Sequence, residues 1–102
     1  MENIDIDVEK CHYYADKLHA IGHAIRIMII EMLSPAGKKL SVTDIYTILK
    51  IDQGVASLHL QILKDNGIVG SCRKGRYKLY YLKTKELKKM LDFAESLNFK
   101  EE

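Results

Sequence analysis

The sequence predicts a mainly α-helical chain carrying one small β-hairpin, a winged helix-turn-helix of order α-α-α-α-β-β-α. Three observations predict it. Apolar residues recur at helical spacing through most of the first 66 positions and again near the C-terminal end. After Asn66-Gly67 the pattern changes to runs rich in β-branched and aromatic residues. Between those runs lies Arg73-Lys74-Gly75-Arg76, a cationic tip centred on a glycine.

The first helix is expected from about Ile4 to Ala20, because Ile4, Val8, Cys11, Ala15 and Leu18 recur at alternating spacings of four and three. Gly22 interrupts it, and the nearly all-apolar Ala24 to Leu33 reads as a buried second helix. Ser34-Pro35-Ala36-Gly37 ends that helix, since proline removes a backbone donor and glycine permits a turn. Ser41-Val42-Thr43-Asp44 has the form of a capping box. A short helix to Leu49 follows, with Val42, Ile45, Ile48 and Leu49 inward. The fourth helix runs from Gln53 to Asn66 with Ala56, Leu60 and Leu63 as its core stripe and Ile62 beside them. Strands at Ile68 to Cys72 and Tyr77 to Leu82 form the hairpin. A last helix, capped by Thr84 and reaching Asn98, carries the stripe Leu87, Met90, Leu91, Ala94 and Leu97.

With 102 residues there is room for a single domain, residues 1–102. Its helix-turn-helix would span 42–66 and its wing 68–82. A chain this short buries little of its surface, so association would help it. The stripes at 4–20 and 84–98 suit a dimer interface, and suit an intramolecular core equally well. The longest apolar run, Ile25 to Met32, is broken by Arg26 and Glu31 and is too short to span a bilayer. The acidic N-terminus is unlike a signal peptide, so the cytoplasm is the expected location and no membrane partner is expected. Two cysteines make no disulfide framework, and reduced thiols are expected.

A net charge of +2 conceals a strong asymmetry: residues 1–60 carry −2, residues 61–90 carry +7 and residues 91–102 carry −3. The basic segment suits a polyanionic partner. In a helix-turn-helix the second helix enters the major groove by its N-terminal end. With Ala56, Leu60 and Leu63 inward, that helix presents Gln53, Gly54, Ser57, Leu58 and Gln61 outward. Glutamine pairs with adenine, serine is permissive, and Gly54 lets backbone approach closely. In the wing, Arg73, Lys74, Arg76 and Lys78 crowd one small loop and suit phosphate contact, which supplies affinity and register rather than sequence choice. Tyr77, Tyr80 and Tyr81 could stack on single-stranded bases, but read more simply as strand residues packing the hairpin on the domain.

These segments resemble the ArsR/SmtB repressors over roughly residues 14–98. Ala20 to Ile27 is similar to the approach to that family's second helix, although Ala24 stands where a proline is usual. Ser41 to Ile45 resembles the start of the DNA-reading pair, Gln53 to Val69 the recognition helix and strand start, and Arg73 to Leu82 the wing. The resemblance implies a homodimeric repressor of double-stranded DNA whose first and last helices pack between subunits. A two-fold dimer would read an imperfect inverted repeat with half-sites about one helical turn apart. DNA contacts would come from Thr43, Gln53, Gly54, Val55, Ser57, Leu58, Gln61 and the four wing cations. Leu58 departs from the polar residue common there, so contact at that position would be apolar, with a thymine methyl as one possibility.

The resemblance also directs attention to metal sites. The cysteines of one common site are replaced by Ser41 and Thr43, whose hydroxyls do not substitute for thiolates toward soft metals. The other common site needs histidines on the last helix, and residues 84–102 contain none. No metal and no cofactor is expected. His12 adjoins Cys11; His19 and His23 are four apart but straddle Ile21-Gly22; His23 and His59 read as local hydrogen bonders. Some relatives sense oxidants through paired thiols. Cys11 and Cys72 are candidates, Cys72 lying beside Arg73 and Lys74, surroundings that activate a thiol. The simpler reading is that Cys11 is a small buried hydrophobe and Cys72 an ordinary strand residue. The inducer is not written in the chain.

An enzyme finds no support: there is no Gly-rich phosphate loop and no nucleophile-base-acid trio. Ser57 and His59 share a helix at a spacing of two, so their side chains diverge. The alternative from another class is a winged-helix module that binds a protein partner without reading DNA.

Overall fold

The computed structural model describes residues 4–97. The order is α1 (Val8–Ile21), α2 (Ala24–Leu33), β1 (Leu40–Ser41), α3 (Val42–Leu49), α4 (Gln53–Asp65), β2 (Val69–Lys74), β3 (Tyr77–Leu82) and α5 (Thr84–Ser96). The expected sequence of elements is present, with one addition: β1 joins the edge of the hairpin. The sheet is antiparallel in the order β1-β3-β2, with Leu40 opposite Tyr80 and Ser41 opposite Leu79. Two residues are too few to show an alternation, which is why the sequence concealed this strand.

Several boundaries differ from expectation. The Asp7 carboxylate accepts from the Lys10 N–H at 3.0 Å and caps α1, so the helix begins at Val8 and Ile4 lies before it, 79% exposed. Ile4 is therefore not part of the α1 stripe. Thr84 does not cap α5. The cap is Lys83, whose N–H donates to Ile68 O at 2.8 Å and closes the hairpin base, so the chain turns one residue earlier. Asn98, the expected end of that helix, lies outside the described residues. The predicted capping box is present: Ser41 Oγ accepts from Asp44 N–H at 3.1 Å, and Asp44 Oδ2 accepts from Ser41 N–H at 3.0 Å. Such a cap contributes about 1 kcal/mol.

The core is shared by the first four helices and the hairpin base: Ala20, Ile29, Leu33, Ile45, Ala56, Leu60, Leu63, Ile68 and Val69 are buried together. Ile48 was expected inward but is 60% exposed. Val42, Ile45, Tyr46 and Leu49 pack toward the core within an arc of about 100° of α3, and Ile48 falls about 60° beyond it. The helix-turn-helix joint is tight. Lys50 adopts a left-handed backbone, φ 55° and ψ 46°, while its N–H bonds to Thr47 O and the Ile51 N–H to Tyr46 O. At the far end of α4, Gly67 takes φ +70°, a region that favours glycine.

In the hairpin, Gly70 faces Tyr81, and a Cβ at position 70 would meet the tyrosine ring at 2.5 Å. Tyr80 packs against the core, so two of the three tyrosines serve the hairpin itself, as the simpler reading had it. Helices α1 and α5 meet within the chain, the rings of Tyr14 and Phe93 stacking at 4.4 Å with Lys10 Nζ 5.8 Å from the Phe93 ring. No helix among the described residues is long and apolar enough to cross a membrane.

Candidate nucleic-acid interface

Helix α4 is held by its apolar side, Ala56, Leu60 and Leu63, all fully buried. Its outward side carries the residues singled out in the sequence: Gln53, Gly54, Val55, Ser57, Leu58 and Gln61 are all exposed. Gln61 is engaged locally, its amide nitrogen donating to Asp65 Oδ1 at 2.7 Å. That contact sets a carboxylate beside it, a poor neighbour for a phosphate. Gln53, the first residue of the helix, makes no such bond among the described residues. Nothing lies within 4 Å of the space a Cβ would occupy at Gly54, so the helix surface there is open.

The wing stands out from the sheet around Gly75, at φ +63°. Arg73, Lys74, Arg76 and Lys78 are all exposed, and the strand register sets Arg73 directly opposite Lys78. Like charges across an antiparallel pair are destabilising. Among the described residues the only ion pair is Lys89 with Glu86 at 3.6 Å, so no wing cation is paired with an acid. A cleft of about 530 Å³ joins the wing base to the start of α3, lined by Ser41, Thr43, Asp44, Lys74, Tyr77 and Leu79. The structure thus brings exposed Thr43 to the wing base. Lys64 Nζ donates to Ser71 Oγ at 2.9 Å and ties α4 to β2.

Behind the reading surface lies a feature the sequence did not show. His59 is buried on the inner side of α4, its ring 4.5 Å from that of His23. Burial pushes the His59 pKa down, and the neighbouring His23 and Arg26 push it the same way. The expectation of local hydrogen bonding holds for His23, whose Nδ1 accepts from the Ile25 N–H and caps α2. It does not hold for His59: its Nδ1, like Arg26 Nε, is buried without a partner among the described residues. Packing against α2 took precedence over pairing at this position.

These features agree with the comparisons. The family model described as bacterial regulatory protein, arsR family, matches residues 23–71, from the start of α2 into β2. An uncharacterized HTH-type transcriptional regulator of Methanocaldococcus jannaschii is 35% identical over 90 residues, covering 88% of this chain and 100% of that protein. The chain belongs to the ArsR family of transcriptional regulators. Solved structures of the family share the fold. An ArsR-like transcriptional regulator from Rhodococcus sp. RHA1 matches with a TM-score of 0.77 at 24% identity, over 88% of this chain and 83% of that one. A possible ArsR-family regulator from Mycobacterium bovis, described as a homodimeric winged helix-turn-helix DNA-binding domain, matches with a TM-score of 0.73 at 22% identity, over 95% and 88%. This chain has the winged helix-turn-helix DNA-binding fold, and its relatives are regulators rather than enzymes.

The residues proposed for dimerisation divide. Val8, Cys11, Ala15, Leu91 and Leu97 are exposed, and Leu18, Leu87 and Ala94 half-buried. Met90, by contrast, is fully buried within the chain itself. Cys11 is not the buried hydrophobe of the simpler reading; both cysteines are free, Cys11 exposed and Cys72 half-buried. Helix α1 packs on α2, α4 and α5, whereas β2 packs on β3 and α4. Among the described residues no group of three or more His, Cys, Asp or Glu is placed to hold a metal ion.

Proposed function

We propose that the chain is a homodimeric repressor that binds an imperfect inverted-repeat operator in double-stranded DNA. The observation that carries this reading is the wing: two cations directly opposed across a hairpin, with two more at its tip and none ion-paired among the described residues, on the same domain as the open recognition helix. A phosphate backbone neutralises that repulsion, and the wing then contributes affinity and register. Gln53, Gly54, Val55, Ser57 and Leu58 face the base edges, Thr43 meets the backbone near the wing base, and Gln61 serves mainly to order the helix surface. The exposed residues Val8, Cys11, Ala15, Leu91 and Leu97 supply the two-fold contact. The Mycobacterium bovis relative, described as homodimeric, supports that arrangement.

A mobility-shift titration with duplexes selected from a random pool tests the proposal. Selected sites should be inverted repeats with half-site centres about 10 base pairs apart. Their affinity should fall steeply as salt rises. Weak binding that ignores sequence even at low salt would refute the repressor and favour a protein-interaction module.

A further inference from the structure

The outward surface of the recognition helix is poor in polar readers. From Gln53 to Gln61 there is no Arg, Lys, Asn, Asp or Glu. This stretch, the first nine residues of α4, therefore lacks the forked or cationic side chains that read guanine, and the carboxylates that accept from cytosine. Gln61 is held by Asp65, and Ser57 is permissive toward bases. What remains is Gln53, suited to adenine, and an apolar strip. Val55 and Leu58 stand three residues apart on one face, 37% and 59% exposed, with no apolar partner in the core.

Exposed apolar side chains on a DNA-reading surface have one apolar partner in the major groove, the thymine 5-methyl group. We infer that Val55 and Leu58 read thymine methyls, and that each half-site has a centre of A·T pairs chosen by them together with Gln53. The inference rests on the proposed reading of DNA by α4. The open backbone at Gly54 lets the strip approach the groove floor. The cationic wing holds the duplex against it. Selectivity then comes from desolvating methyl groups rather than from paired hydrogen bonds, so each contact is modest.

The test replaces each thymine of a selected operator with deoxyuridine, which removes the methyl and leaves the hydrogen-bonding edge intact. One or two positions per half-site should weaken wild-type binding about three- to fourfold per methyl, and replacements outside the half-sites should do nothing. Leu58→Ala should lose the sensitivity at its position while keeping the salt dependence of binding. Leu58→Met, which retains an apolar reach, should keep it and decides the matter if the alanine variant binds too weakly to measure. A wild-type operator indifferent to deoxyuridine, or sensitivity that persists in both Leu58→Ala and Val55→Ala, would overturn the inference. Random-pool selection that yields no preferred sequence removes the DNA-reading function and this inference with it. A preferred sequence without methyl sensitivity removes only this inference.

Discussion

The α3–α4 unit and the α1–α5 pair are built from similar amphipathic helices, yet they end in opposite states. In the first, Ile45, Ala56, Leu60 and Leu63 are fully buried, and what reaches solvent beyond Ile48, Val55 and Leu58 is mainly small or polar. In the second, Ala20 and Met90 are the buried apolar residues, while Val8, Leu91 and Leu97 stand in solvent beside the stacked pair of Tyr14 and Phe93. One unit is completed by its own chain and the other leaves apolar surface to be covered. Scattered exposed hydrophobes are ordinary, but a set shared by two adjoining helices suits the proposed dimer interface. We expect from this division that association depends on α1 and α5 rather than on α3 and α4.

Substitutions on either side should separate the two roles. The largest effect is expected at Leu60, where Leu60→Ala opens a cavity in the shared core and should cost about 2–5 kcal/mol in denaturant unfolding. A loss below 1 kcal/mol would show that α4 is not anchored by this face. Next is Leu91→Glu, which sets a charge on the uncovered face. It should raise the dimer dissociation constant at least about tenfold in sedimentation measurements, given the worth of burying one leucine, while leaving monomer unfolding nearly unchanged. An unaltered monomer–dimer equilibrium would take α5 out of the interface. Arg76→Ala should weaken cognate and scrambled DNA alike and lower the salt slope of binding by about one. Unequal losses would make the wing a reader of sequence.

The smallest expected effect lies at His59, where α4 packs on the start of α2. Its folded pKa lies below the ordinary histidine value, so the unfolded chain takes up a proton more readily than the native one. Stability is then complete above about pH 6.5, the unperturbed value, and is lost as pH falls through the lower folded value. The groups facing His59 are His23 and Arg26, and neither offers a negative charge. Melting temperatures at pH 7.5 and 5.5 should show a drop on acidification that His59→Gln reduces. An equal drop in both proteins would assign the acid sensitivity to other groups.

The course of the chain was largely legible, because long periodic stripes, the Ser41–Asp44 cap and the Asn66-Gly67 stop are local signals. The outward set on α4 was legible for the same reason: once Ala56, Leu60 and Leu63 are inward, geometry leaves Gln53, Ser57 and Leu58 outside. What escaped depended on partners distant in sequence. The two-residue β1 exists only because β3 lies beside it. Met90 and Ile48 belong to apolar stripes, yet the width of the contact decides which edge residue is covered, and periodicity carries no information about width. Gln61 looked free until Asp65, one turn on, was found to hold it. The crowding of His59, His23 and Arg26 joins residues more than thirty positions apart, and no spacing rule would bring them together.

The left-handed joint at Lys50 has a further consequence. A non-glycine residue there stores backbone strain of order 1 kcal/mol, and the bonds from Lys50 and Ile51 back to Thr47 and Tyr46 hold the joint to the end of α3. The turn out of α3 is thereby defined, and with the core that Ile45 shares with Ala56 and Leu60 we expect α3 and α4 to move together as one body. In a two-fold pair of such bodies the one adjustable quantity is the span between their tips, as in a caliper. In the proposed dimer, a signal acting through α1 and α5 would change that span and leave the shape of each tip as it is.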